Sequence, residues 1–190
     1  KRNFRKKIGE ILKRAVVLMN MGGPNNIGEV KVFLRNMFND KYIIGAPQPI
    51  RAMIGQIIIT KRLKESQENY HKLGGMSPIV GHTKRLVRRL NKELDADVFY
   101  EMRYTPPFAS DVMPKLVNYD EIYAIPMYPH YSSTTTKSSI EDFVKSLSSV
   151  VIFASYVSNL PDTLVNIMCF TLQPISECVG SITHFVVDIV

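Results

Sequence analysis

Three short segments of this 190-residue chain carry residue types that could hold a ligand: Met21-Gly22-Gly23-Pro24, Arg103-Tyr104-Thr105-Pro106-Pro107 and Tyr128-Pro129-His130-Tyr131-Ser132. Each follows an apolar run that reads as a strand. All three therefore fall at strand carboxyl ends, where open parallel sheets bind their ligands. Glycine lets backbone come close to a bound molecule, and a guanidinium offers a planar cation to a carboxylate or phosphate. Tyr104, Tyr128 and Tyr131 add flat apolar faces with polar tips. Together with the polarisable Met21, this set suits a flat, conjugated dianion.

Other chemistries find less support. Met21-Gly22-Gly23 lacks the GxGxxG spacing of a dinucleotide loop, and neither GxxxxGK[ST] nor GxSxG occurs. His71, His82, His130 and His184 show no paired ligand spacing with one another or with Cys169 and Cys178. No metal site is expected, and two cysteines are too few for a disulfide framework or an iron–sulfur cluster. The hydroxyl run Ser132–Ser139 suits either an anion or a helix cap.

The elements that must position these residues alternate between apolar runs and helical spacing, which implies an α/β fold of three layers, a mainly parallel sheet flanked by helices. The first strand is expected at 15–21, apolar enough for burial on both faces. Asn25 or Asn26 caps the next helix, which offers Val30, Val32, Phe33 and Phe38 to the core. Residues 34–60 carry more apolar side chains than a surface segment needs. They read equally as the core of a helical excursion or as a greasy lip beside a pocket or membrane. Ser77-Pro78 opens a helix over 79–94, with Lys84, Arg85, Arg88 and Arg89 on its polar face. A strand at 97–104, a helix after Phe108, a strand at 121–128, a loop at 129–139, a helix at 140–147 and a strand at 150–156 complete the pattern.

The net charge of +7 is unevenly spread: residues 1–14 hold seven Lys or Arg against Glu10, whereas 151–190 hold none. A basic balance is compatible with a polyanion, an anionic lipid surface or an acidic small molecule. Hydrophobic content of 45% and charged content of 22% are those of an ordinary globular protein. No stretch reaches the length needed to span a bilayer, and the basic start is not followed by the apolar core of a signal peptide.

Four segments, in this order and spacing, resemble ferrochelatases: VLMNMGGP at 17–24, TKRLKESQENYHKLGGMSPI at 60–79, MRYTPPF at 102–108 and IPMYPHYSSTTTKSS at 125–139. The resemblance covers roughly residues 15–148. It implies a chelatase-like fold of two similar α/β domains facing each other across a porphyrin cleft, the second incomplete here. On that basis the chain divides into a basic segment 1–14, a first domain 15–148, and 149–190 as the start of a second domain with a divergent or truncated tail. From about residue 169 the match ends, and a frameshift is one account of it.

The resemblance also implies roles. Met21 would approach the porphyrin face, and Lys61 and Arg62 would lie near the propionates. Tyr70 and Ser77 match the family's propionate-contacting Tyr and Ser. Arg103, Tyr104 and Tyr128 would line the pocket wall, and 34–60 would form a lip in peripheral contact with a membrane. Porphyrin and ferrous iron would be substrates, with no built-in cofactor, no nucleic-acid partner, and a cytoplasmic setting at a membrane surface. The family's catalytic His lies in an SAHSLP-like motif, and no such motif occurs in these 190 residues, nor does the Glu region beyond it. No catalytic residue is therefore recognised. The expected function is ferrous iron insertion by the parent enzyme, with this chain as its porphyrin-binding half. The alternatives are a catalytically silent porphyrin- or haem-binding module and a basic α/β domain that binds polyanions.

Overall fold

The computed structural model describes residues 12–157 and 164–167. Its centre is β1 (Arg14–Asn20), flanked by β2 (Asp97–Met102) on one side and β3 (Glu121–Pro126) on the other, with β4 (Leu164–Ile167) beyond β3. All pairings are parallel, with Ala15 opposite Asp97 and Ile122. After Arg14 every residue of β1 is buried, as expected of a strand covered on both faces.

The period-two alternation of β1 feeds two layers. Ala15, Val17 and Met19 pack with Val112, Met113 and Leu116 of α4 (Ala109–Leu116) and with Phe143 and Leu147 of α5 (Ser138–Val157). Val16 and Leu18 join Val98 and face Leu86, Val87 and Leu90 of α3 (Pro78–Glu93). Helices therefore cover both faces, and the three-layer α/β arrangement stands as expected. Each large side chain so buried stabilises the fold by about 1.5–3 kcal/mol relative to exposure.

Between β1 and α3 the chain makes a helical excursion, α1 (Val30–Phe38) and the 25-residue α2 (Gln48–Lys72). Val30, Phe33 and Leu34 of α1 and Ile59 of α2 pack around Tyr104, two residues past the end of β2. Positions 30, 33 and 34 share one helix face, so Val32 points away, 40% exposed, and is not in the core as expected. The apolar 34–60 segment becomes the end of α1, a turn, and the first half of α2. There Ile50, Met53 and Ile57 form an exposed stripe at i, i+3, i+7 spacing.

The strand expected at 150–156 is instead the last part of α5, which runs unbroken to Val157. No Gly or Pro interrupts the chain between Ser138 and Val157, and a short apolar run has no period that separates strand from helix. The boundary expected at 148 thus falls inside a helix, and β4 extends the same sheet. The expected polar loop at 129–139 contains a π-helical turn, Ser133–Lys137, capped by Ser132 and leading directly into α5. The basic segment up to residue 11 and the tail from residue 168, with Cys169, Cys178 and His184, lie outside the described residues.

Candidate functional site

Backbone bonds carry the ladder beyond the strand ends and fix the loops there. Arg103 N donates to Asn20 O at 2.8 Å, Tyr104 N to Met21 O at 3.0 Å, and Met127 N to Met19 O at 2.8 Å. Glycine is required where these loops crowd. Gly22 sits at φ +85°, and a Cβ there would lie 2.5 Å from Thr105 Oγ1. A Cβ on Gly23 would lie 2.4 Å from Ser77 Oγ. Gly23 N donates to Thr105 Oγ1 at 3.1 Å, and Ser77 N donates to Pro24 O at 2.7 Å. The exit of β1 and the entrance of α3 are thereby stapled together.

Of the eight residues singled out from the sequence, Met21 and Tyr70 are half-buried against the cluster around Tyr104. Ser77 lies against Gly23, next to Met21. Lys61 and Arg62 are exposed on α2 and make no ion pair among the described residues. Burial raises the Tyr70 phenol above the usual tyrosine range. Tyr128, past the end of β3, shares a hydrogen bond with Ser139 Oγ at 2.7 Å. Burial and the nearby Glu101 carboxyl push its phenol up to about 12, so the group is neutral.

Arg103 and Tyr104 behave otherwise than expected. The sequence presents Arg103 as a planar cation for a carboxylate or phosphate. Its guanidinium already bonds Asp40 Oδ2 at 3.3 Å and faces Asp142 Oδ1 at 3.4 Å, while Nε donates to Ser138 Oγ at 2.9 Å. Two carboxylates outweigh the one cation. Tyr104 is 1% exposed, packed edge-on to Phe33 at 6.3 Å, and donates its hydroxyl to Asp40 Oδ2 at 2.8 Å. In this arrangement it has no face free for a planar ligand.

Sequence reasoning missed the centre of this network, Asp40. Burial opposes its charge, but bonds from Ser138 Oγ, Tyr42 N and Tyr104, with the Arg103 cation, hold its carboxyl below the usual range. The available signal was a lone acid within the apolar 34–60 segment. Also missed was Glu101, an acid in the otherwise apolar end of β2, 0% exposed, with neither carboxylate oxygen hydrogen-bonded. Beside the Arg103 clamp lie two polar cavities of about 330 and 270 Å³, both lined by Asn39, Asp40, Arg103 and Asp142. Neither is lined by Met21, Tyr70, Ser77 or Tyr128. Among the described residues no group of three or more His, Cys, Asp or Glu could hold a metal ion.

The ferrochelatase family profile matches residues 13–164. A ferrochelatase of Sulfurimonas denitrificans is 52% identical over 136 residues, 69% of this chain and 43% of that protein. One of Nitratiruptor is 52% identical over 134 residues, 68% of this chain and 43% of that protein. One of Helicobacter pylori is 47% identical over 146 residues, 74% of this chain and again 43% of that protein. The chain spans less than half the length of these curated relatives. The family match runs through β1, β2 and β3 and the loops that follow them, as far as the first residue of β4, and by it the chain belongs to the ferrochelatase family.

Proposed function

We propose that this chain forms the porphyrin-gripping part of a ferrochelatase, an enzyme that inserts ferrous iron into a porphyrin in haem biosynthesis. The observation that carries the reading is the convergence of Met21, Tyr70 and the Gly23–Ser77 contact at one strand end in a chain of this family. Met21 offers a polarisable contact to the macrocycle. Tyr70, neutral at working pH, and Ser77 donate hydrogen bonds to propionate carboxylates, while Lys61 and Arg62 supply mobile cations from α2. Tyr128 adds a neutral phenol to the same wall. Arg103 and Tyr104 act from beneath, by holding α1, β2 and α5 together rather than by touching substrate.

Insertion replaces two pyrrole protons by the metal, so a base must receive them. The 190 residues carry no SAHSLP-like segment to supply the family's histidine. That observation favours a second reading for the chain on its own, porphyrin binding without insertion. The stripe of Ile50, Met53 and Ile57 is the lip through which the protein rests at a membrane interface on the cytoplasmic side.

The test is a porphyrin titration followed by Soret absorbance, with Arg62→Ala and Tyr70→Ala beside the unaltered chain and a parallel ferrous insertion assay. Binding weakened by both substitutions, without insertion, supports the gripping role. Insertion above background would mean that another residue receives the pyrrole protons. Binding indifferent to both substitutions would sink the assignment of the site.

A further inference from the structure

Among the described residues Glu101 is the most deeply buried acid, and the porphyrin reading leaves it unused. It lies opposite Met19 on β1 and near the end of β2, in the layer covered by α4 and α5. Its side chain is wholly enclosed and both oxygens lack a hydrogen-bond partner. An ionised carboxylate without donors in such a place is strongly disfavoured, so the group keeps its proton well above the usual carboxylate range. Two charges act on it, Asp142 on α5 and Arg103 just past β2, and the neutral phenol of Tyr128 past β3 is the third titratable group in its surroundings. Behind Arg103 stands Asp40, and Lys145 lines one of the cavities beside the clamp. The neighbouring strand and α4 bring Met19, Val112 and Met113 to this layer, while Asp111 and Lys115 of α4 are exposed.

With Glu101 neutral, the single guanidinium of Arg103 is divided between Asp40 and Asp142, and Nε holds Ser138. These bonds tie the end of α1 to β2 and to the start of α5. If Glu101 loses its proton, a third carboxylate competes for the same cation. Because it is the least solvated of the three, it has the most to gain from capturing it. Arg103 then releases Asp40 and Ser138, and Tyr104 loses the ordered acceptor for its hydroxyl.

We propose that Glu101 is a positioning residue, a protonation-operated latch whose neutral carboxyl keeps the Arg103 clamp closed and whose ionisation opens the wall formed by α1, β2 and α5. Burial and the charge of Asp142 push its carboxyl up to about 8, against the pull of Arg103, so the latch works near physiological pH. That this wall serves porphyrin binding rests on the reading above, but the latch itself does not.

The experiment compares the chain with Glu101→Gln, whose amide is neutral at every pH, by thermal midpoint between about pH 6 and pH 9. The unaltered chain should lose several °C relative to the variant as pH rises from about 6 to about 8, and the two curves should run parallel above that. Curves parallel over the whole range would overturn the proposal. Should the variant not fold, carboxyl carbon NMR of the unaltered chain decides: a Glu101 resonance still protonated at neutral pH is expected, and one already ionised at about pH 6 overturns the latch. Porphyrin affinity measured over the same range should weaken only in the unaltered chain. Absence of porphyrin binding at every pH in both proteins would sink the substrate reading while the thermal curves still judge the latch.

Discussion

Tyr104 and Asp40, 64 positions apart in the chain, meet in a buried hydrogen bond in which the phenol donates to Oδ2 at 2.8 Å. The same oxygen accepts from Arg103 and from Ser138 Oγ. One carboxylate oxygen therefore joins the end of α1, the loop after β2 and the first residue of α5. The guanidinium of Arg103 lies over the Tyr104 ring at 5.1 Å, which adds a contact between two members of the network.

Asp40→Asn keeps the shape of this hub and removes its charge. Arg103 then faces one carboxylate instead of two, and two hydroxyls must share a weaker acceptor. The substitution should destabilise the chain by about 3 kcal/mol in urea unfolding. A loss below about 0.5 kcal/mol would show that the hub is dispensable.

The acid limb of stability follows from the same group. The folded carboxyl of Asp40 is held below its ordinary value of 3.8, so the folded state binds a proton less readily than the unfolded chain. Its contribution is present above that ordinary value and is lost as pH falls through the lower folded value. Thermal midpoints of the unaltered chain and Asp40→Asn should therefore converge as pH falls below the ordinary value of 3.8 and separate as pH rises above it.

Gly23→Ala sets a methyl group into Ser77, where the available gap is 2.4 Å from Oγ and 2.5 Å from Cβ. The overlap should cost about 1–3 kcal/mol and weaken porphyrin binding through displacement of Ser77. Adding Ser77→Gly to Gly23→Ala removes both clashing atoms. Equilibrium unfolding of the double variant should recover part of the stability, whereas simple additivity of the two losses would refute the packing account.

Ile50, Met53 and Ile57 face solvent at 48%, 61% and 52% exposure. Replacing all three with Ser should leave stability within about 1 kcal/mol, because little apolar area is uncovered. Co-sedimentation with anionic phospholipid vesicles should fall several-fold. Unchanged sedimentation would remove the lip from the membrane-facing surface.

Much of this arrangement was legible from residue order because its physics is local. The unbroken apolar run of β1, the proline at the start of α3 and the glycines after β1 each announce their role within a few residues. Long-range pairing is what escaped. Nothing near Arg103 in sequence says that Asp40 and Asp142 will neutralise it, and nothing near Tyr104 says that α1 and α2 will bury it. Residues 150–156 were misread as a strand because a short apolar run without glycine or proline suits either element.

The bond from Ser77 N to Pro24 O closes a ring of chain at its neck. Everything between those residues leaves the sheet and returns to the place it left, so α1 and α2 form a cassette with adjacent ends. Such a cassette can lengthen, shorten or be exchanged without a change in strand order, since both ends already meet. The excursion can thus vary in length while the strand order beneath it is kept, and a chimaera cut at the neck exchanges α1 and α2 as one unit.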